Sequence, residues 1–215
     1  MPKKSPTVPS LELEEQAWGE GYKNVAGVDE AGRGPLAGPV IAAAVILGDQ
    51  WDEGHPVNDS KKLSAEQREN LFDIIRQQAK AYRIVAVSPK LVDQLNILQA
   101  TLLGMKRTIE ELKVRPDFVL VDGNKFPPVN VDGKFVIKGD ARSKSIAAAS
   151  ILAKVARDRV MKGFSRIYPL WGFEQHKGYP TLKHRQAIEQ YGLCSIHRQS
   201  FQCRPQAAAE QLNLF

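Results

Sequence analysis

Two adjacent carboxylates, Asp29 and Glu30, close an apolar segment and are followed at once by Gly32, Arg33 and Gly34 in the run from Gly27 to Pro39. Glycines without a Cβ let a ligand come up to the backbone, and the arginine sets a fixed positive charge beside two negative ones. That combination suits metal ions held against a phosphodiester backbone. Asp122 and Asp140 each follow another short apolar run. Two carboxylates 4 Å apart repel by roughly 4 kcal/mol at an effective dielectric near 20, so four together need compensation. Oxygen donors with no His or Cys among them fit Mg2+ or Mn2+ rather than Zn2+. Two such ions can activate a water and stabilise the leaving oxygen of an in-line phosphodiester displacement. One demand follows from strand geometry: neighbours on a flat strand point to opposite faces, so Asp29 and Glu30 need a local bend, which the glycines after them permit.

The elements that must position these acids can be read from periodicity. Short apolar runs ending at glycine or proline predict strands over 24–30, 39–47 and 81–87, arranged as a meander. Ser64 followed by Gln67 is a capping-box signature, and Leu71, Ile74, Ile75 and Ala79 continue at helical spacing to about residue 80. The segment 88–113 reads as helix, with Leu98, Leu102, Met105, Ile109 and Leu112 on one stripe and Glu110, Glu111 and Lys113 solvated. Strands are predicted over 118–121, ending in Asp122 and Gly123, and over 134–138, ending in Gly139 and Asp140. Further helices are predicted from Ser143 to about Lys162, over Thr181 to Tyr191, and in short form over Leu11 to Trp18, after a proline-rich, disordered lead-in. Strands followed by alternating helices and strands imply an α/β fold with a mixed sheet and helices on its faces. All four acids then fall at C-terminal strand ends, where open α/β sheets place their ligand crevices.

Other motifs carry two readings each. Gly-x-Gly after a strand suggests a dinucleotide loop, but that needs a helix at once, and Pro35, Pro39 and a β-branched run follow instead. Ser143, Ala147, Ser150, Lys154 and Arg157 form a stripe on one helix, either beside a bound phosphate or as hydrogen-bonded polar groups in a buried helix. Asp158 rivals the other acids for a metal, yet its neighbours Lys154, Arg157 and Arg159 favour an ion pair. The segment 58–64, with Lys61, suits phosphate contacts or a solvated turn. Tyr179, in the loop His176 to Pro180, can stack on a sugar or base or serve as packing. His55 with Asp49 and Ser60 lacks a nucleophile elbow, and Cys194, His197 and Cys203 lack a fourth zinc ligand.

At 215 residues and 43% hydrophobic content, one well-cored domain is expected. The net charge of +6 and pI near 9.3 favour an acidic partner such as nucleic acid. No run approaches the ~20 apolar residues of a membrane span and no signal peptide is read at the N-terminus, so the expected location is the cytoplasm.

Five segments in order, residues 27–39, Asn58 to Leu63, Val121 to Asn124, Lys138 to Asp158 and His176 to Thr181, make residues 24–200 resemble bacterial ribonuclease HII. The resemblance implies a ribonuclease H-like mixed sheet flanked by helices with a small C-terminal helical part. It divides the chain into a lead-in over 1–20, a catalytic domain over 21–200 and a tail over 201–215. It implies an endonuclease dependent on Mg2+ or Mn2+ that acts on RNA-DNA hybrids and on single ribonucleotides within duplex DNA, cutting on their 5' side. Asp29, Glu30, Asp122 and Asp140 become the metal-binding, catalytic acids. Gly32, Arg33 and Gly34 become the sensor of the ribose 2'-hydroxyl, and Tyr179 the residue stacking on the sugar at the junction with DNA. Lys61, Ser143, Ser150 and Lys154 join them as nucleic-acid contacts, and the expected assembly is a monomer. The related ribonuclease HIII has an extra N-terminal domain and a different residue between the glycines, neither of which is read here. Gln211, Leu212, Leu214 and Phe215 are similar to the short peptide by which bacterial repair proteins dock on the sliding clamp. The alternatives are a non-catalytic binding module of the same fold and a DNA nuclease or resolvase. The first gains nothing from clustered negative charge facing a polyanion.

Overall fold

A computed structural model describes residues 8–48, 51 and 54–201. Its sheet has the order β3-β2-β1-β4-β5. Val25–Ala31 (β1) pairs antiparallel with Val40–Leu47 (β2), and β2 with Ala79–Val87 (β3), the meander expected from the sequence. Phe118–Asp122 (β4) and Asp132–Val136 (β5) run parallel to β1 on its other side. Strand β2 has no polar face because both sides are covered. Ile41, Ala43 and Val45 enter one apolar cluster, and Ala42, Ala44 and Ile46 enter another on the opposite face.

Helix Ala65–Gln78 (α2) starts where the capping box placed it: Gln67 N–H donates to Ser64 Oγ at 3.1 Å and Ser64 N–H to Gln67 Oε1 at 2.8 Å. The single helix expected over 88–113 is instead two, Pro89–Leu95 (α3) and Ile97–Glu110 (α4). The break is Asn96, whose φ of 67° no helix tolerates and whose side chain accepts from the N–H groups of Leu98 and Gln99. The apolar stripe survives in the second piece, where Met105 and Ile109 are buried, and continues to the buried Leu112 just beyond it. The last strand also differs from its expected range of 134–138. It ends at Val136, Lys138 turns left-handed, and Asp140 lies in a 3-10 turn, Gly139–Ala141. No helix separates β4 from β5; Phe126, Val129 and Val131 of the connecting segment pack on the core instead.

Helix Lys144–Ile167 (α5) crosses one face of the sheet with Ile146, Ile151 and Leu152 fully buried, each contributing about 1.5–3 kcal/mol relative to exposure. It lies directly on β1, since a Cβ at Gly27 would stand 2.1 Å from the Ser145 carbonyl carbon. This close approach delivers the first turn of α5, and the turn holding Asp140, to the ends of β1 and β4. Helix Glu12–Gly19 (α1) is tied to the same place: the buried Glu14 Oε1 accepts from Ser143 Oγ and Ser145 Oγ at 2.6 Å and from Ser145 N–H at 2.9 Å.

Beyond α5, Phe173–His176 (α6) and Leu182–Tyr191 (α7) form the small helical part, with Phe173 packed on Ala37, Met161 and Ile196 and Ile188 on Leu36. Among the described residues no helix is long and apolar enough to cross a membrane.

Candidate active site

The parallel ladder between β1 and β4 ends at Val28↔Val121, one residue short of Asp29 and Asp122. These two acids are the next pair in register, so they face each other across the mouth where the strands part. Asp29 lies opposite Ala43 and Glu30 opposite Ala42, residues of the two opposite clusters, and pairing continues through Ala31↔Ile41. The pairing shows no register shift between the two acids. Glu30 sits on the other face at the end of the strand, its N–H donating to Asp29 Oδ1 at 2.7 Å.

Each acid has a distinct support. Asp122 Oδ1 accepts the Gly139 N–H at 2.7 Å, which fastens the turn carrying Asp140 to the end of β4. Asp140 Oδ2 lies 3.6 Å from Lys61 Nζ, which also stands 3.9 Å from Asp59. Glu30 Oε1 is 3.5 Å from Arg33 Nη1. Burial pushes the Asp29 carboxyl well above the usual range, and the charges of Glu30, Asp122 and Asp140 push it further. Burial likewise raises Glu30, with Arg33 opposing and Asp122 adding to the rise. Asp140 is raised by burial, Asp122 and Asp59 against the pull of Lys61. The four acids thus act on one another, as a cluster awaiting positive charge must.

Their donor set fits hard divalent cations: oxygen throughout, like-charged and partly desolvated. As the side chains stand, no group of three His, Cys, Asp or Glu residues among the described residues is close enough to hold an ion. To close on one, Glu30 would leave Arg33, and Asp140 would leave Lys61 and the side-chain hydrogen bond it shares with Asp59.

Beside the acids, the loop 32–39 joins β1 to β2. Gly32 has a φ of +99°, and a Cβ there would strike Arg157 Nε at 2.2 Å, so only glycine fits. Gly34 has open space around its Cβ position. The Tyr179 loop packs against this one: Leu36 N–H donates to Gly178 O at 2.8 Å, and Arg157 Nη2 donates to both Ala37 O and Lys177 O. The Tyr179 ring is partly exposed, with Arg157 Cζ 5.6 Å and Lys154 Nζ 5.8 Å from its centroid.

Three of the remaining expected contacts are spoken for. Ser143 is fully buried with its hydroxyl on Glu14 and on the Ile146 N–H, so it caps α5 and does not reach the open face. Ser150 is buried against Ser60 Oγ at 2.9 Å, and Lys154 pairs with Asp158 at 2.8 Å. His55 Nε2 meets Gln78 Oε1 at 2.9 Å, Asp49 lies outside the described residues, and Cys194 Sγ lies 3.1 Å from His197 Nδ1. Cys203 and the peptide from Gln211 to Phe215 lie outside the described residues.

Sequence reasoning missed the scaffold under Tyr179. Cys194 N–H donates to His197 Nδ1 at 2.9 Å, which leaves His197 Nε2 as the donor across 3.1 Å to His184 Nε2, and His184 Nδ1 as the donor to Tyr179 O. His176 stacks on His184 with ring centroids 4.3 Å apart. Burial lowers the proton affinity of all three imidazoles, that of His184 down to about 4. It also missed Arg198, fully buried beneath the glycine loop. No local period marks either feature.

The family model described as Ribonuclease HII matches residues 26–204. Ribonuclease HII of Syntrophus aciditrophicus (strain SB) is 49% identical over 207 residues, covering 94% of this chain and 96% of the relative. Among solved structures, the ribonuclease H2 from Pyrococcus horikoshii OT3 matches with a TM-score of 0.73 at 28% identity, over 84% of this chain and 95% of that one. The PCNA:RNase HII complex from Archaeoglobus fulgidus matches with a TM-score of 0.67 at 26% identity, over 86% of this chain and 98% of that one.

Proposed function

The chain belongs to the ribonuclease HII family and is an endonuclease of the ribonuclease H class, and from that premise we propose that it hydrolyses the RNA strand of RNA-DNA hybrids and nicks duplex DNA 5' to single embedded ribonucleotides. The products carry 3'-hydroxyl and 5'-phosphate ends, as needed to remove RNA primers and misplaced ribonucleotides in the cytoplasm. The observation that supports this reading is the repulsion that Glu30, Asp122 and Asp140 exert on the buried Asp29 at the ends of β1 and β4, beside the Gly32 to Gly34 loop.

Those four acids would hold Mg2+ or Mn2+. When bound, the cations supply an activated water and a counter-charge for the leaving oxygen. The chain's own residues do the rest. Asp122 holds the Asp140 turn through the Gly139 N–H, and Lys61 and Arg33 release their carboxylates and turn to phosphate. The backbone of residues 32–34 meets the 2'-hydroxyl, and Tyr179 offers its exposed ring to the neighbouring sugar, with Lys154 beside it.

We take 1–20 as lead-in, 21–200 as the catalytic body of a monomer, and 201–215 as a tail. The Archaeoglobus relative was solved with PCNA, and we extend clamp docking to Gln211, Leu212, Leu214 and Phe215; unchanged clamp affinity after deletion of 211–215 would remove that part.

The deciding experiment incubates the protein with an end-labelled duplex containing one ribonucleotide, in Mg2+, Mn2+ or EDTA, beside an all-DNA control. Nicking 5' to the ribonucleotide only, and only with metal, is expected. An intact substrate throughout would leave a binding module, and a cut control would leave a general DNA nuclease.

A further inference from the structure

The Gly32 to Gly34 loop is shaped from below by one side chain. Arg198 is fully buried, and its guanidinium donates to Gly32 O at 2.6 Å, Arg33 O at 3.0 Å, and Gly38 O at 3.0 and 2.8 Å. A trans peptide places its N–H opposite its carbonyl, and no cis peptide occurs among the described residues. With the carbonyls of Gly32 and Arg33 turned down onto Arg198, the N–H groups of Arg33 and Gly34 point the other way. Both residues are exposed, and neither N–H has a partner among the described residues. Two adjacent free donors facing outward are what an incoming hydroxyl oxygen can accept from.

Arg198 is itself held. Its N–H donates to Leu36 O at 2.8 Å, and the Phe201 ring lies 5.0 Å from its Cζ. Asp93 of α3 takes the N–H groups of Gln199 and Ser200 at 3.0 and 2.9 Å, and the Ser200 hydroxyl at 2.6 Å. The line of support runs from α3 through residues 198–200 to the two donors.

We propose that Arg198 is a positioning residue for ribose selection: by fixing the carbonyls of Gly32 and Arg33 it presents the N–H groups of Arg33 and Gly34 to the ribose 2'-hydroxyl. This rests on the reading of residues 32–34 as the ribose sensor. A lysine at 198 keeps the charge but gathers its donors on one nitrogen, in place of the planar fork whose three nitrogens reach the three carbonyls. Arg198 acts through the loop and not on phosphate, so its loss lowers affinity for a ribonucleotide-containing duplex while sparing affinity for DNA.

The test is fluorescence anisotropy in Ca2+ with two labelled duplexes, one carrying a single ribonucleotide and one all DNA, for the unaltered protein, Arg198→Lys and Asp93→Ala, with thermal unfolding to establish folding. The expected result is a selectivity ratio lowered about tenfold in Arg198→Lys and by a smaller factor in Asp93→Ala, with all-DNA affinity held within about twofold. A folded Arg198→Lys with an unchanged ratio overturns the inference, as does an equal loss on both duplexes, which marks a merely structural role. If Arg198→Lys does not fold, Asp93→Ala decides by the same criterion. A ratio near one in the unaltered protein overturns the underlying ribose-sensor reading instead.

Discussion

The acid crevice and the scaffold beneath Tyr179 both bury ionisable groups, yet they settle them in opposite ways. At the ends of β1 and β4, like charges share one space, three of the four carboxyls are pushed up, and the nearest cations are the exposed Arg33 and Lys61. In the scaffold, Arg157 and Arg198 meet backbone carbonyls, His197 and His184 form a hydrogen-bonded chain that ends on Tyr179 O, and His176 stacks on His184. The crevice is costly by itself, whereas the scaffold satisfies its buried polar groups internally apart from Arg157 Nη1, which has no hydrogen-bond partner. Such a division places strain where chemistry is needed and rigidity where shape must be read.

The sharpest way to break this contrast is Asp29→Asn. With Asp29 holding a metal ion as proposed, its removal should lower cleavage about 10³-fold or more. The fold should nonetheless become more stable by about 0.5–2 kcal/mol at neutral pH. The sign follows from the raised carboxyl: its contribution is fully present below the ordinary carboxylate range and is lost as pH rises through the raised value. The gain from asparagine should therefore be largest at neutral pH and above and vanish in acid. Thermal unfolding in EDTA across pH, run beside the cleavage assay, checks both halves; a variant less stable at pH 8 would mean that the crevice is already compensated.

Two glycines in one loop divide along the same line. Gly32→Ala places a methyl against Arg157 and Pro39 O in a left-handed backbone, which should cost about 1–3 kcal/mol. Gly34→Ala meets nothing within 4 Å in the protein, so stability should stay within about 0.5 kcal/mol. Cleavage should still fall about 10²-fold, because the methyl stands where substrate must approach. Normal cleavage by a folded Gly34→Ala would mean that substrate does not come close there.

Acid should undo the scaffold first. With His184 held near 4 against an ordinary 6.5, the unfolded chain takes up its proton first as pH falls through that window. Stability from this residue is complete above about 6.5 and declines toward pH 4, by up to about 3 kcal/mol. His176 and His197 shift in the same direction. Urea unfolding at pH 7.5 and pH 5 should show this loss, and His184→Gln should reduce it by one proton's worth.

Much of this was legible in the sequence because it is local. Strands β1 to β4, the capping box at Ser64, the Gly32 to Gly34 segment and the strand-end positions of Asp29, Glu30 and Asp122 follow from period and spacing, whereas Asp140 lies in a turn beyond β5. Asn96 was not legible, because a positive φ at a residue other than glycine is imposed by tertiary context and leaves the apolar stripe intact. Neither was Ser143, whose type suits a phosphate contact and a helix cap equally until Glu14 is seen beside it. Arg198 bonds to residues 160 to 166 positions away, and no window along the chain carries such a signal.

Lys61 offers the finest discrimination between the two regions, since it stands 3.6 Å from Asp140 but is largely exposed. If it served to settle the crevice, its loss would destabilise the fold; an exposed ion pair of this kind is worth only about 0–1 kcal/mol. If it is released to phosphate when substrate arrives, its loss should instead weaken binding of every duplex alike. Lys61→Ala is therefore expected to melt within a degree or two of the unaltered protein and to raise KM a few-fold. The plot of log affinity against log salt should become shallower by about one. A lowered melting temperature with an unchanged salt slope would assign Lys61 to the crevice, which would then be a self-settled structure like the scaffold, and the need for added cations would lose its physical basis.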